Sequence, residues 1–117
     1  MKKIYYLSSC TTSQRILKEL HPGKDVLLQD IKTEKMTPAQ VDEMARMAGS
    51  YEAIFSRIAL KYRSLGLNKM KLGEKDYRRY ILEEYTFLKR PVIIIGDKIF
   101  AGNAPKTVAA AKDIIHL

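Results

Sequence analysis

The sequence predicts an α/β fold whose elements follow the order β-α-β, helical insertion, β-β-α. Two β-prone runs, at residues 3–8 and 25–31, flank a stretch with helical spacing. Further along, the apolar run Val-Ile-Ile-Ile at residues 92–95 is followed by Gly96-Asp97, which predicts a β-hairpin. The alanine-rich segment at residues 104–117 carries its apolar residues on one side and predicts a closing helix.

The first helix is predicted from the segment CTTSQRILKELHPG, in which Ile16, Leu17 and Leu20 have helical spacing. Thr11 or Thr12 is the expected N-cap, because short hydroxyl side chains accept hydrogen bonds from unpaired backbone N–H groups. The residues after the helix, DVLLQDI, predict a second buried strand.

The middle of the chain, about residues 37–87, is expected to form the helical insertion. Thr37 predicts an N-cap, with Pro38 at the first helical position and Gln40 completing a capping box. Gly49 is the expected end of that helix.

A further helical piece is expected over residues 50–56, and another helix of the insertion is expected to begin near Gly73. Its aromatic residues could be imagined stacking on bases, but no RNA-binding motif accompanies them and their spacing fits a core-facing helix better. The residues that define this face are Tyr77, Tyr80, Ile81 and Tyr85.

Composition limits the range of functions. A chain of 117 residues with 46% hydrophobic content predicts a single domain over residues 1–117. One cysteine excludes an internal disulfide, leaves too few thiolates for structural zinc and agrees with a cytoplasmic protein. The N-terminal apolar run is too short for a signal peptide or membrane span. A net charge of +8 would attract a small oxyanion, an acidic protein surface or nucleic acid.

Cys10 stands between the first strand and the first helix. Unpaired N–H groups and the positive end of the helix dipole converge at such a position, stabilise a thiolate and form an anion site. Thr11, Thr12 and Ser13 add hydroxyl donors. The alternative is that Cys10 is a small buried apolar residue without special reactivity.

A reactive Cys10 needs a thiol from outside the chain, either glutathione, a glutaredoxin or another dithiol protein, or the Cys10 of a second subunit. Its first product would be an adduct or a sulfenic acid, and either is resolved by a second thiol that this sequence lacks. Lowering a thiol pKa from about 8.5 to 6 takes about 3.4 kcal/mol. A helix N-terminus supplies only about 0.5 to 2 kcal/mol of this, so a nearby arginine is also needed.

Three arginines could meet an anion. Arg90 precedes Pro91 at the entry to the strand at residues 92–95, where a cis bond is a candidate and a guanidinium could bind a tetrahedral oxyanion. Arg57 and Arg63 could line the same kind of pocket, or all three could be solvated surface charges.

On these residues the chain resembles the ArsC/Spx family of thioredoxin-fold proteins, which includes glutaredoxin-linked arsenate reductases and Spx-type transcription regulators. The resemblance rests on YYLSSCTTSQRIL, FSRIALKYRSLGL and FLKRPVIIIGDKIFAG, in that order. It implies a thioredoxin-like fold with a mixed sheet flanked by helices. The C-x-x-S setting of Cys10 and Ser13 matches the reductases, whereas Spx-type redox regulators generally have C-x-x-C.

The resemblance also implies an activity. The Cys10 thiolate would attack an oxyanion or mixed disulfide held by Arg57 and Arg90, Pro91 would follow a cis bond, and external glutathione or glutaredoxin would complete the reduction, with no bound cofactor or metal. The third arginine of the reductases has no counterpart in IFAGNAPK, and Tyr6 replaces the histidine found before the nucleophile in some of them.

The alternative function is a non-enzymatic, Spx-like regulator that binds RNA polymerase through its basic surface. Cys10 would then be dispensable or serve only as a sensor. We expect neither membrane association nor direct binding of nucleic acid, since no recognisable reading helix is present.

Overall fold

The computed structural model describes residues 1–117. The chain divides into a first unit, residues 1–35 with 90–117, and a second unit, residues 36–89. The prediction that residues 1–117 form a single domain stays a prediction.

The first unit contains a mixed four-stranded sheet. Its strands are β1 (Lys2–Tyr6), β2 (Val26–Asp30), β3 (Val92–Ile95) and β4 (Lys98–Ala101), in the order β2-β1-β3-β4. Strand β1 is parallel to β2 and antiparallel to β3, which is in turn antiparallel to β4. Two helices belong to this unit, α1 (Thr11–Leu20) and α5 (Pro105–Ile114).

The connections explain this topology. A parallel strand pair needs a crossover connection, and α1 supplies it between β1 and β2. Gly96 has a φ of 62° in the tight turn between β3 and β4, which permits the predicted hairpin with Ile95 opposite Lys98.

The core on one face of this sheet joins strand and helix residues. Ile4 and Ile93 from the sheet are both fully buried. Complete burial of such a side chain contributes about 2 kcal/mol, so this cluster fixes α1 and α5 on the sheet. Its other members are Ile16, Leu20, Val26, Val108, Ala111 and Ile115.

The prediction that the second strand is buried is confirmed for Val26 and Gln29 but is wrong for the two residues between them. Leu27 and Leu28 in β2 are 55% and 50% exposed. The physical reason is position in the sheet: β2 is an edge strand with a neighbour on one side only. An apolar run shows that a segment prefers the extended state, but not where the strand lies in the sheet.

The second unit is entirely helical in its regular elements, as predicted for the insertion. It contains α2 (Pro38–Ala48), α3 (Leu60–Ser64) and α4 (Glu74–Glu83), with short 3-10 helices at Glu52–Ile54, Leu67–Lys69 and Tyr85–Phe87. Nowhere in the chain does a helix combine the length and the apolar character needed to cross a bilayer.

The N-terminus of α2 follows the sequence prediction. The Thr37 side chain accepts from the Gln40 backbone N–H at 3.1 Å, and the Gln40 side chain accepts from the Thr37 N–H at 3.1 Å. Gly49 ends the helix with a φ of 99°, in the left-handed region where glycine is favoured.

An aromatic cluster forms part of the second unit's core. The ring of Phe55 lies 4.8 Å from that of Tyr77 and 5.2 Å from that of Phe87, between ring centroids. Tyr77 is buried, as its helical spacing predicts. The expectation that the same helix reaches Tyr85 is wrong, because α4 ends at Glu83 and Tyr85 begins a 3-10 helix.

Candidate functional site around Cys10

Cys10 itself is the N-cap of α1. Its backbone N–H donates to the Leu7 carbonyl at 3.0 Å, which closes a tight turn, and its carbonyl accepts from the Gln14 N–H at 3.1 Å, which begins the helix. The prediction that Thr11 or Thr12 caps this helix is therefore wrong. The turn ends one residue earlier than the hydroxyl pattern suggested, and Thr11 is the first helical residue.

The position of Cys10 at the N-cap of α1 changes the pKa of its thiol. Burial raises the pKa of Cys10, but stabilisation of the thiolate outweighs burial and leaves the pKa below its usual value. The stabilising groups are the Ser13 N–H, the Ser13 hydroxyl, the Thr12 N–H and the charge of Arg90. They are the unpaired donors of a helix N-terminus, which favour an anion, together with one cation.

The Ser13 hydroxyl is available to the thiolate. Ser13 is 0% exposed, and its oxygen atom has no hydrogen-bond partner in the structure. The same hydroxyl is among the groups that lower the pKa of Cys10. The Ser13 hydroxyl is therefore close enough to the Cys10 sulfur to affect its pKa, and no other acceptor competes for its proton. Such a hydroxyl can donate a hydrogen bond to the sulfur when the thiolate forms.

Arg90 and Pro91 enter the first unit beside this turn. The Arg90–Pro91 peptide bond is cis. The Pro91 carbonyl accepts from the Gly102 N–H at 2.9 Å, which continues the pairing of β3 with β4. The half-buried Arg90 is close enough for its charge to lower the pKa of Cys10.

Arg57 lies in the second unit, where two side chains hold it. Its Nη2 donates to Glu52 Oε2 at 2.5 Å and to the Tyr77 hydroxyl at 3.0 Å. The guanidinium also lies over the Tyr77 ring, 5.6 Å from its centroid, a distance at which a cation–π attraction operates. These contacts raise the pKa of Arg57, with the Glu52 hydrogen bond as the main cause.

The backbone around Arg57 is also anchored. The Ser56 N–H donates to the Phe87 carbonyl at 2.7 Å, and the Lys89 N–H donates to the Ile54 carbonyl at 2.9 Å. Arg63, the other arginine of this segment, is exposed on α3. Of the two, Arg57 is therefore the fixed guanidinium.

The structure thus brings together Cys10, Thr12, Ser13 and Arg90 within the first unit, while Arg57 is described within the second. Thr11 is exposed, and Tyr6 is half-buried against the core of the first unit. Sequence reasoning missed Glu52 as the partner of Arg57 and treated Tyr77 only as a core residue. No motif marks either pairing, because each joins residues from different elements.

No cluster of three or more histidine, cysteine, aspartate or glutamate side chains is arranged to hold a metal ion. The polar groups of the site are donors and cations, which suit an anion.

A mixed sheet with a cysteine at the N-terminus of the first helix and a cis-proline before the third strand defines a thioredoxin-like protein. The ArsC family model matches residues 5–111, and the chain belongs to the ArsC family.

Individual relatives agree with this assignment. An arsenate reductase from Haemophilus influenzae is 36% identical over 47 residues, which is 40% of this chain and 40% of that relative's length. The solved structure of an arsenate reductase from Vibrio cholerae is similar, with a TM-score of 0.77 and 17% identity over 93% of this chain and 95% of that one. An arsenate reductase (ArsC) related protein from Brucella melitensis has a TM-score of 0.72 and 23% identity, over 93% and 92% of the two chains.

Proposed function

We propose that this protein is a thiol-dependent oxidoreductase of the arsenate reductase type, in which the Cys10 thiolate is the nucleophile and an external thiol completes the reaction. The observation that carries the proposal is the environment of Cys10. A thiol of lowered pKa stands at the N-cap of α1, beside a buried Ser13 hydroxyl with no other partner.

The substrate class follows from the donors. Helix N-terminal N–H groups bind oxyanions, and a guanidinium adds charge-assisted hydrogen bonds. Arg90 supplies that charge within the first unit. Arg57 is the second proposed anion ligand, because the resemblance to the ArsC family implies an anion-binding arginine at this position. Arsenate is the proposed oxyanion because relatives of this chain are arsenate reductases.

The proposed reaction balances with two external thiols. The Cys10 sulfur bonds to arsenic as one arsenate oxygen leaves as water. An external thiol such as glutathione then attacks the Cys10 sulfur and forms a mixed disulfide with it, while the S–As bond breaks, its electron pair stays on arsenic, and the arsenic leaves reduced from As(V) to As(III). A second external thiol, from glutathione or glutaredoxin, attacks the mixed disulfide, which frees the Cys10 thiol and leaves the two external thiols joined as a disulfide. The missing second cysteine of the C-x-x-S motif makes this external step necessary.

The first experiment follows Cys10 alkylation by iodoacetamide at neutral pH, with and without arsenate, phosphate or sulfate. We expect fast labelling that these anions slow, because thiolate and anion share one set of donors. Slow labelling that is indifferent to all three anions would contradict the proposal. In an assay with glutathione, glutaredoxin and arsenate, Cys10→Ser should abolish turnover.

A second candidate function is an Spx-like regulator that binds RNA polymerase. The observation that favours it is the final hairpin, where β4 reads Lys-Ile-Phe-Ala and lacks the third arginine of the reductases. This function predicts that the protein does not reduce arsenate. It also predicts that the wild-type protein and the Cys10→Ser variant recover purified RNA polymerase equally well. Reductase activity lost in Cys10→Ser would favour the first proposal.

A further inference from the structure

Both backbone polar groups of Ser8 are bound by side chains from other parts of the first unit. Ser8 lies inside the turn that joins β1 to α1 and ends at Cys10. Its N–H donates to Asp30 Oδ1 at 3.1 Å, and its carbonyl accepts from Gln14 Nε2. The turn that presents Cys10 is therefore held from two sides, by the end of β2 and by the first turn of α1.

Asp30 is well placed to hold this turn. It is the last residue of β2 and lies opposite Tyr6 at the end of β1, where the turn begins. Burial raises the pKa of Asp30, but hydrogen bonds donated by Ser8, Lys32 and Thr33 outweigh burial and lower it. The carboxylate is therefore ionised at neutral pH and acts only as an acceptor.

We propose that Asp30 is a positioning residue for Cys10: by fixing Ser8, its carboxylate sets the turn that places the sulfur at the N-cap of α1. The stabilisation of a thiolate by a helix N-terminus is confined to the first turn, so a small displacement of Cys10 weakens it. This inference rests on the proposed function only in treating Cys10 as the nucleophile, and it holds for any substrate.

Asp30 could affect the pKa of Cys10 through the position of the turn or through its own charge, and substitutions separate the two effects. A negative charge disfavours a nearby thiolate, so removal of the Asp30 charge alone would not raise the pKa of Cys10. Loss of the hydrogen bond to Ser8 would raise it instead. Asparagine keeps an acceptor oxygen without the charge, whereas alanine removes both.

Asp30 also holds its own turn, which allows a purely structural explanation. Its Oδ1 accepts from the Lys32 N–H at 3.2 Å, and its Oδ2 accepts from the Thr33 hydroxyl at 3.3 Å. If Asp30 served only this turn, its loss would lower stability without changing the reactivity of the folded Cys10.

The experiment measures the pH dependence of Cys10 alkylation by iodoacetamide in Asp30→Ala, Asp30→Asn and Asp25→Ala, each folded by far-ultraviolet circular dichroism. Asp25 is the matched control, because it lies just before β2 and pairs with Lys2 at 3.1 Å. We expect Asp30→Ala to react about three-fold more slowly at neutral pH, with its alkylation midpoint moved to higher pH. Asp30→Asn should react at least as fast as the wild type, and Asp25→Ala should match the wild type.

Gln14→Ala is the second variant, to be used if Asp30→Ala does not fold, because it removes the other side chain that binds Ser8. It releases Ser8 from the other side, leaves the Asp30 turn intact, and should also slow alkylation. Unchanged or faster alkylation in Asp30→Ala, or in Gln14→Ala where only that variant folds, would overturn the proposal. If Asp30→Ala slows alkylation as expected but the wild type does not reduce arsenate, the proposed substrate is contradicted and the positioning role of Asp30 is not.

Discussion

The buried hydroxyl of Ser13 helps to lower the pKa of Cys10 and has no other hydrogen-bond partner in the protein. A buried polar atom without a partner normally costs stability. Here the same atom favours the thiolate form of Cys10, so we expect Ser13 to lower the stability of the fold while it raises the reactivity of the thiol.

Ser13→Ala should therefore change the two properties in opposite directions. Loss of the donor should slow Cys10 alkylation at neutral pH about five-fold, which corresponds to one hydrogen bond of about 1 kcal/mol. At a pH where Cys10 is protonated, the free energy of unfolding should stay the same or rise, because an unpartnered hydroxyl is removed. Denaturant titration and iodoacetamide kinetics measure both, with the exposed Ser9→Ala as control. A less stable variant with unchanged alkylation would assign Ser13 to the core alone.

Arg90→Gln should raise the pKa of Cys10, since the guanidinium charge favours the thiolate. Alkylation of Cys10 at neutral pH should therefore slow. Because salt screens the charge of Arg90, the alkylation rate should also depend less on added salt when this charge is removed. Lys98→Gln removes an exposed positive charge from β4 and is the matched control. If the two substitutions slowed alkylation equally, the alkylation rate would depend on the net charge of the protein and not on the position of Arg90.

Arg57→Ala should weaken the protection of Cys10 by arsenate or sulfate about ten-fold in anion concentration, as expected for one charge-assisted hydrogen bond of about 1.4 kcal/mol. Arg63→Ala, an exposed arginine of the same segment, should leave protection unchanged. The half-exposed Arg57–Glu52 pair should contribute less than about 1 kcal/mol to folding. Anion-protection curves for folded variants check this, and equal protection in both would remove Arg57 from the proposed anion site.

Thr37→Ala should lower the free energy of unfolding by about 1 kcal/mol, because it breaks the capping box of α2. Thr11→Ala is the informative comparison. Since Cys10 occupies the N-cap of α1, this substitution should change stability by less than about 0.5 kcal/mol. Denaturant midpoints for both variants measure the difference, and a comparable loss in Thr11→Ala would mean that Thr11 supports the helix after all.

The Cys10 thiol should make stability depend on pH. Its folded pKa lies below the unfolded value, so ionisation favours the folded state. This contribution is complete above the unfolded pKa of about 8.5 and is lost as pH falls through the folded pKa. Between those two pKa values the wild type should gain stability relative to Cys10→Ser as pH rises. Parallel denaturation curves across this range would contradict a lowered pKa.

Local chemistry in the sequence determined much of the fold. The capping box at Thr37, the turn at Gly96 and the apolar run at residues 92–95 each specify their element through contacts with near neighbours. For the same reason the sequence placed Cys10 at the junction of a strand and a helix. One cysteine in the whole chain also made an external thiol necessary for the proposed chemistry.

Tertiary structure decided what depends on distant residues. The exposure of Leu27 and Leu28 follows from the position of β2 at the sheet edge, which only strand pairing sets. The bond from Ser8 to Asp30 joins residues 22 positions apart, and the bond from Arg57 to Tyr77 joins residues 20 apart. The sequence alone determined that one thiol lies at a helix start. Only the folded chain decided that it caps the helix and which side chains hold it, because those contacts form when separate elements pack together.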